Sequence, residues 1–139
     1  MTALFERCDV AMDRKRIVIV EDDPLISRTI NMCLSKRGHE VKAFYSGADM
    51  VKHLLDEKPD SILLDIRLPD CDGWFIAGLL EKFEWAKSVP VIMMSVMEPD
   101  NKKVTEFKPH AYIQKPFDMG FLIQTVEQSL GLGSPAFAF

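Results

Sequence analysis

Apolar residues along this chain fall into two alternating patterns: short unbroken runs, and longer stretches spaced for one face of a helix. The run IVIV at 17–20 is β-branched throughout and predicts a strand covered on both faces. Glu21, Asp22, Asp23 and Pro24 follow, which suit the first turn of a helix. Ile26, Ile30 and Leu34 then recur at helical spacing until Gly38. A second strand is predicted at 41–45. Ser46 should cap a helix with Ala48, Val51, Leu54 and Leu55 on one face.

The third run, 61–64, ends abruptly on Asp65. Pro69, Asp70, Asp72 and Gly73 crowd in behind it, the residues of a sharp surface loop. Phe75, Ile76, Leu79, Leu80 and Phe83 outline a third helix. The run VIMM follows Pro90 and ends on Ser95. Residues 98–108 are polar and short for a helix, with Val104 and Phe107 as the firm apolar anchors. A fifth strand at 111–114 leads into Lys115, Pro116 and Phe117. Phe121, Leu122, Thr125, Val126 and Leu130 mark a last helix at about 118–130.

Strands alternating with helices imply parallel pairing, because each crossover helix covers the sheet through a right-handed connection. The expected architecture is α/β, a doubly wound five-stranded parallel sheet. Residues 16–130 form the expected domain, with an N-terminal extension at 1–15 and a C-terminal tail at 131–139 that holds two phenylalanines.

A chain of 139 residues, 47% hydrophobic and 27% charged, is large enough for one real core. Its net charge of -4 argues against salt-driven nucleic-acid binding, so no direct DNA contact is expected. Cys8, Cys33 and Cys71 show no metal-ligand spacing, and their number does not suggest a disulfide framework. There is no membrane-length apolar run, and Glu6 and Asp9 interrupt any signal-peptide core; the cytoplasm is the expected location.

In such a sheet the strand ends meet at one edge, where open α/β sheets bind ligands. Glu21 and Asp22 come from the first strand, Asp65 from the third, Ser95 from the fourth and Lys115 from the fifth. Gathered carboxylates repel one another, and a hard divalent cation removes that conflict; oxygen ligands with open water positions suit Mg²⁺. Metal, carboxylate and lysine together make a site for phosphoryl transfer, where the protein chiefly positions groups and neutralises charge.

The order EDD, DIRLPDCDG, MMS, KPF resembles the receiver domain of two-component response regulators, over about residues 16–130. The resemblance implies a flavodoxin-like fold with strand order 2-1-3-4-5. It implies that Asp65 is the phosphoacceptor, a carboxylate nucleophile that needs no general base. Asp22, Asp65 and the backbone carbonyl of Arg67 would bind Mg²⁺, with Glu21 reaching it through water; Lys115 would pair with a phosphoryl oxygen, and its peptide bond to Pro116 would be cis. Asp23, at a variable position, is expected as a first-turn acid. Ser95 either satisfies a backbone group or, as in the family, moves to bond the phosphoryl group while Tyr112 turns inward. Implied partners are a sensor histidine kinase or histidine phosphotransfer protein, and a downstream protein effector. Its activity would be limited to self-catalysed phosphotransfer and autodephosphorylation.

Three features depart from the common pattern. Val96 is bulkier than usual and should narrow access to Asp65. Arg67 places a cation near the phosphoryl group. EFKPHAY lacks the usual glycine, which together with Pro99 puts the fourth helix in doubt. His39, His53 and His110 are expected to face solvent, and Trp74 and Trp85 to pack. Rival readings are a relay intermediate that passes phosphate onward and a scaffold that is never phosphorylated. A phosphatase with an aspartyl nucleophile would need an acid where Arg67 stands.

Overall fold

The computed structural model describes residues 14–132, so nearly all of the extension and tail lie outside the described residues. Within them, β1 (Arg16–Val20), β2 (Glu40–Phe44), β3 (Ser61–Asp65), β4 (Val91–Ser95) and β5 (Ala111–Gln114) form one parallel sheet in the order β2-β1-β3-β4-β5. Helices α1 (Pro24–Lys36), α2 (Gly47–Leu54), α3 (Gly73–Leu80), α4 (Asn101–Phe107) and α5 (Met119–Ser129) connect and cover it. This is the doubly wound order expected from the resemblance.

The two-residue period of the strands divides the apolar side chains between two cores. Val18, Val20, Ile62, Leu64 and Met93 pack with Met50 and Leu54 of α2 and with Trp74, Ile76 and Leu80 of α3. Ile17, Ile19, Leu63, Ile92, Met94 and Ile113 face the other way, onto Ile30 and Leu34 of α1 and Leu122 and Val126 of α5. Both faces are thus dry, which is why β1, β3 and β4 read as unbroken apolar runs.

Several elements differ in detail from the sequence expectation. The buried face of α2 is Gly47, Met50 and Leu54, whereas Ala48 and Leu55 are exposed, because the cap at Ser46 sets the helical phase. Helix α3 stops at Leu80. Phe83 is extended and opens a 3-10 helix, Glu84–Ser88, that no periodicity announces. Phe75 and Phe121 point outward rather than into the core.

The doubtful fourth helix does form. Asp100 caps it, accepting from the N–H groups of Lys102 and Lys103 at 3.0 and 3.3 Å, so Pro99-Asp100 is a start signal rather than a break. In place of the missing glycine, Lys108 itself takes the left-handed conformation (φ 48°) that ends α4. Asp23 is the N-cap of α1 rather than a first-turn acid, with bonds to Leu25 N and Ile26 N.

His39 corrects the solvent-facing expectation outright. Its side chain is buried, with Nε2 3.0 Å from Glu127 Oε2 and Nδ1 accepting from Lys15 N at 3.4 Å. Arg37 joins the same carboxylate through two bonds of 2.8 and 2.6 Å. His53 is half-buried against Phe44, whereas His110 is exposed as expected. Trp74 packs as expected, stacked with both Phe107 and Tyr112, whose ring centroids lie 5.7 and 6.5 Å away.

Candidate functional site

The carboxyl ends of the strands bring Glu21, Asp22, Asp65, Ser95 and Lys115 to one open cleft of about 570 Å³, which Arg67 and Val96 also line. Each side chain arrives there because its strand is locked in register by the dry core. Glu21 and Asp65 are buried at the floor, and Asp22 is exposed at the rim. Carboxylate oxygens of these three lie within 4.8 Å of one another.

Lys115 bridges the floor. Its ammonium donates to Glu21 Oε1 at 2.5 Å and to Asp65 Oδ2 at 2.9 Å, joining the end of β5 to β1 and β3. The peptide bond from Lys115 to Pro116 is cis, as expected from the resemblance. Burial pushes the Glu21 carboxyl up to about 7 despite the bond from Lys115. Burial alone would lower Lys115, but its two carboxylate bonds outweigh that and raise it. The second oxygen of Glu21 accepts from Asp23 N at 3.1 Å. Glu21 is therefore held from both sides, and Asp22 is left free to reach outward.

The remaining residues sit around this centre. Arg67 N donates to Asp65 Oδ1 at 3.1 Å, while its guanidinium reaches across to Met97 Sδ at 3.7 Å. Ser95 Oγ accepts from Met97 N at 3.1 Å, in keeping with the backbone-satisfying reading. Tyr112 is half-buried, and its hydroxyl donates to Met97 O at 2.8 Å. The main chain of Met97 thus joins Ser95 to Tyr112, a link that no spacing in the sequence signals. Gln114, also absent from the sequence reading, reaches Val96 O at 3.4 Å. Gly73 N donates to Ile66 O at 2.6 Å, closing the loop behind Asp65.

Clustered acid oxygens with one exposed member are a set that could hold a hard cation. The model for the response regulator receiver domain matches residues 17–127. The chain belongs to this family. Among solved structures, the receiver domain is similar to the chemotaxis response regulator CheY4 of Vibrio cholerae, at 19% identity and a TM-score of 0.79, covering 84% of this chain and 99% of that one. It is also similar to the non-phosphorylated HemR receiver domain of Leptospira biflexa, with 24% identity, a TM-score of 0.77 and coverage of 87% and 98%. A third relative is the receiver domain of a sensor histidine kinase from Pseudomonas aeruginosa, solved with a magnesium ion coordinated in its active site cleft. Its identity is 26% and its TM-score 0.75, over 84% of this chain and 98% of that one. Among the described residues, no helix of the receiver domain is long and apolar enough to cross a membrane.

Proposed function

We propose that Asp65 accepts a phosphoryl group from the phosphohistidine of a sensor histidine kinase or a histidine phosphotransfer protein, and that the modified domain, residues 16–130, acts in the cytoplasm by binding a protein effector. The observation that carries this reading is the Lys115 bridge to Glu21 and Asp65 beside the exposed carboxylate of Asp22.

In the proposed step a carboxylate oxygen of Asp65 forms a bond to phosphorus as the P–N bond breaks, and the electron pair leaves on the donor's imidazole nitrogen. Lys115 holds the acceptor carboxylate in place and offers its ammonium to a phosphoryl oxygen. Asp22, Asp65 and the carbonyl of Arg67 would hold Mg²⁺, with Glu21 behind them; such an ion offsets charge on the oxygens of the transferring group. Ser95 would leave Met97 N to bond the phosphoryl group. Tyr112 is tied to the carbonyl of that same residue, so the exchange reaches its ring directly.

The test is incubation of the chain with acetyl phosphate and Mg²⁺, followed by intact-mass measurement. A gain of about 80 Da, one phosphoryl group as an acyl phosphate, is expected for the wild type and not for Asp65→Asn. An unchanged wild-type mass overturns the reading and favours the unphosphorylated scaffold. Phosphotransfer to and from isolated histidine-containing domains then separates a terminal regulator from a relay.

A further inference from the structure

Asp70 makes a pair of bonds that the proposed chemistry does not use. It lies in the loop after β3, and its two oxygens accept from the first two main-chain N–H groups of α2. Gly47 N donates to Oδ1 at 3.0 Å and Ala48 N to Oδ2 at 2.9 Å. Those two bonds hold the Asp70 carboxyl below its usual range.

The helix does not need Asp70 in order to begin, because Ser46 already caps it, accepting from Asp49 N at 3.3 Å. The loop is what needs the contact. Gly47 is buried, and a Cβ there would stand 2.7 Å from Cys71 Sγ and 2.8 Å from Ile76 Cδ1. Helix and loop can touch only because that position is bare. The loop is otherwise closed on itself, through the bridge between Arg67 and Asp72 and a bond from Leu68 N to Cys71 O at 3.2 Å. A hold on Asp70 therefore reaches the main chain of Arg67, whose N–H meets Asp65 Oδ1.

We infer that Asp70 is a positioning residue: it anchors the loop to α2 and thereby fixes the Arg67 main chain against Asp65 for metal binding. The inference rests on the proposed function, since the Arg67 carbonyl matters only if Asp65 and Asp22 bind a cation.

Calorimetric titration of the full chain with MgCl₂ tests it. Asp70→Ala should weaken Mg²⁺ binding roughly tenfold, the scale on which groups that orient metal ligands act. Ser46→Ala removes a cap from the same helix without touching the loop, and should leave the affinity unchanged. In metal-free protein, hydrogen exchange at the amides of Arg67 and Leu68 should quicken in Asp70→Ala and not in Ser46→Ala. Should Asp70→Ala not fold, Asp70→Asn, which keeps one acceptor, supplies the comparison. Equal Mg²⁺ affinity in the Asp70 variants and the wild type, or the same behaviour in the Ser46 variant, overturns the inference and leaves Asp70 a helix cap. A wild type that binds no Mg²⁺ sinks the phosphoacceptor reading instead, and the exchange comparison still decides whether the loop is anchored.

Discussion

Gly73 has no room for a side chain. A Cβ there would stand 2.4 Å from the carbonyl oxygen of Asp65 and 2.7 Å from Ile66 Cα, both of them backbone atoms that cannot swing aside. Gly73→Ala should therefore push the end of β3 out of place, costing about 2 kcal/mol of stability, seen as a lower urea midpoint. Acetyl phosphate should also modify the folded fraction more slowly than it modifies the wild type. At this scale the shared placement of the candidate side chains was legible because each stands at or just past the end of a strand: Asp65, Ser95 and Lys115 follow apolar runs and line one cleft. His39 was not. A lone histidine carries no periodicity, and its partner Glu127 is 88 positions away along the chain. The joining of Ser95 to Tyr112 through Met97 was hidden for the same reason.

Among the elements, α4 shows how a local signal can be misjudged. Few apolar anchors and a missing glycine argued against it, yet the aspartate after Pro99 caps its start and Phe107 reaches the core beside Trp74. The cost of lacking glycine falls on Lys108, held at φ 48° where a Cβ is disfavoured. Lys108→Gly should raise stability by about 1 kcal/mol, measured as a higher urea midpoint with the slope of the transition unchanged. A lower midpoint would mean that the side chain contributes something the backbone strain does not reveal. The end of α3 was unreadable because its side chains are apolar almost without break, so packing rather than pattern decides where the turn falls; the 3-10 helix, EWAKS, is too short and mixed to carry a period.

On the scale of the whole molecule, the fold was legible because five strand–helix alternations leave few ways to bury both faces of a sheet. What the sequence did not disclose is the tie at the pole opposite the cleft, where Arg37 and His39, from the turn before β2, meet Glu127 of α5. Burial alone would raise the Glu127 carboxyl, but the bonds from Arg37 and His39 outweigh it and hold the group below 4.5. The folded state thus binds this proton less readily than the unfolded chain does. Stability from the tie is present above pH 4.5 and is lost as pH falls through the depressed folded value. Glu127→Gln should cost about 2 kcal/mol at pH 7, the scale of hydrogen bonds to charged groups. Its urea midpoint should converge on that of the wild type as the solution is acidified below 4.5; a gap independent of pH would rule out the charge as its source.

The stacked rings of Phe107, Trp74 and Tyr112 have a practical consequence. The indole stacks with Phe107 at the end of α4 and with Tyr112, the strand residue whose hydroxyl is tied to Met97, so any rotation of that phenol alters the surroundings of a natural fluorophore. Indole emission from unlabelled protein, recorded as Mg²⁺ and acetyl phosphate are added, therefore checks whether that ring moves.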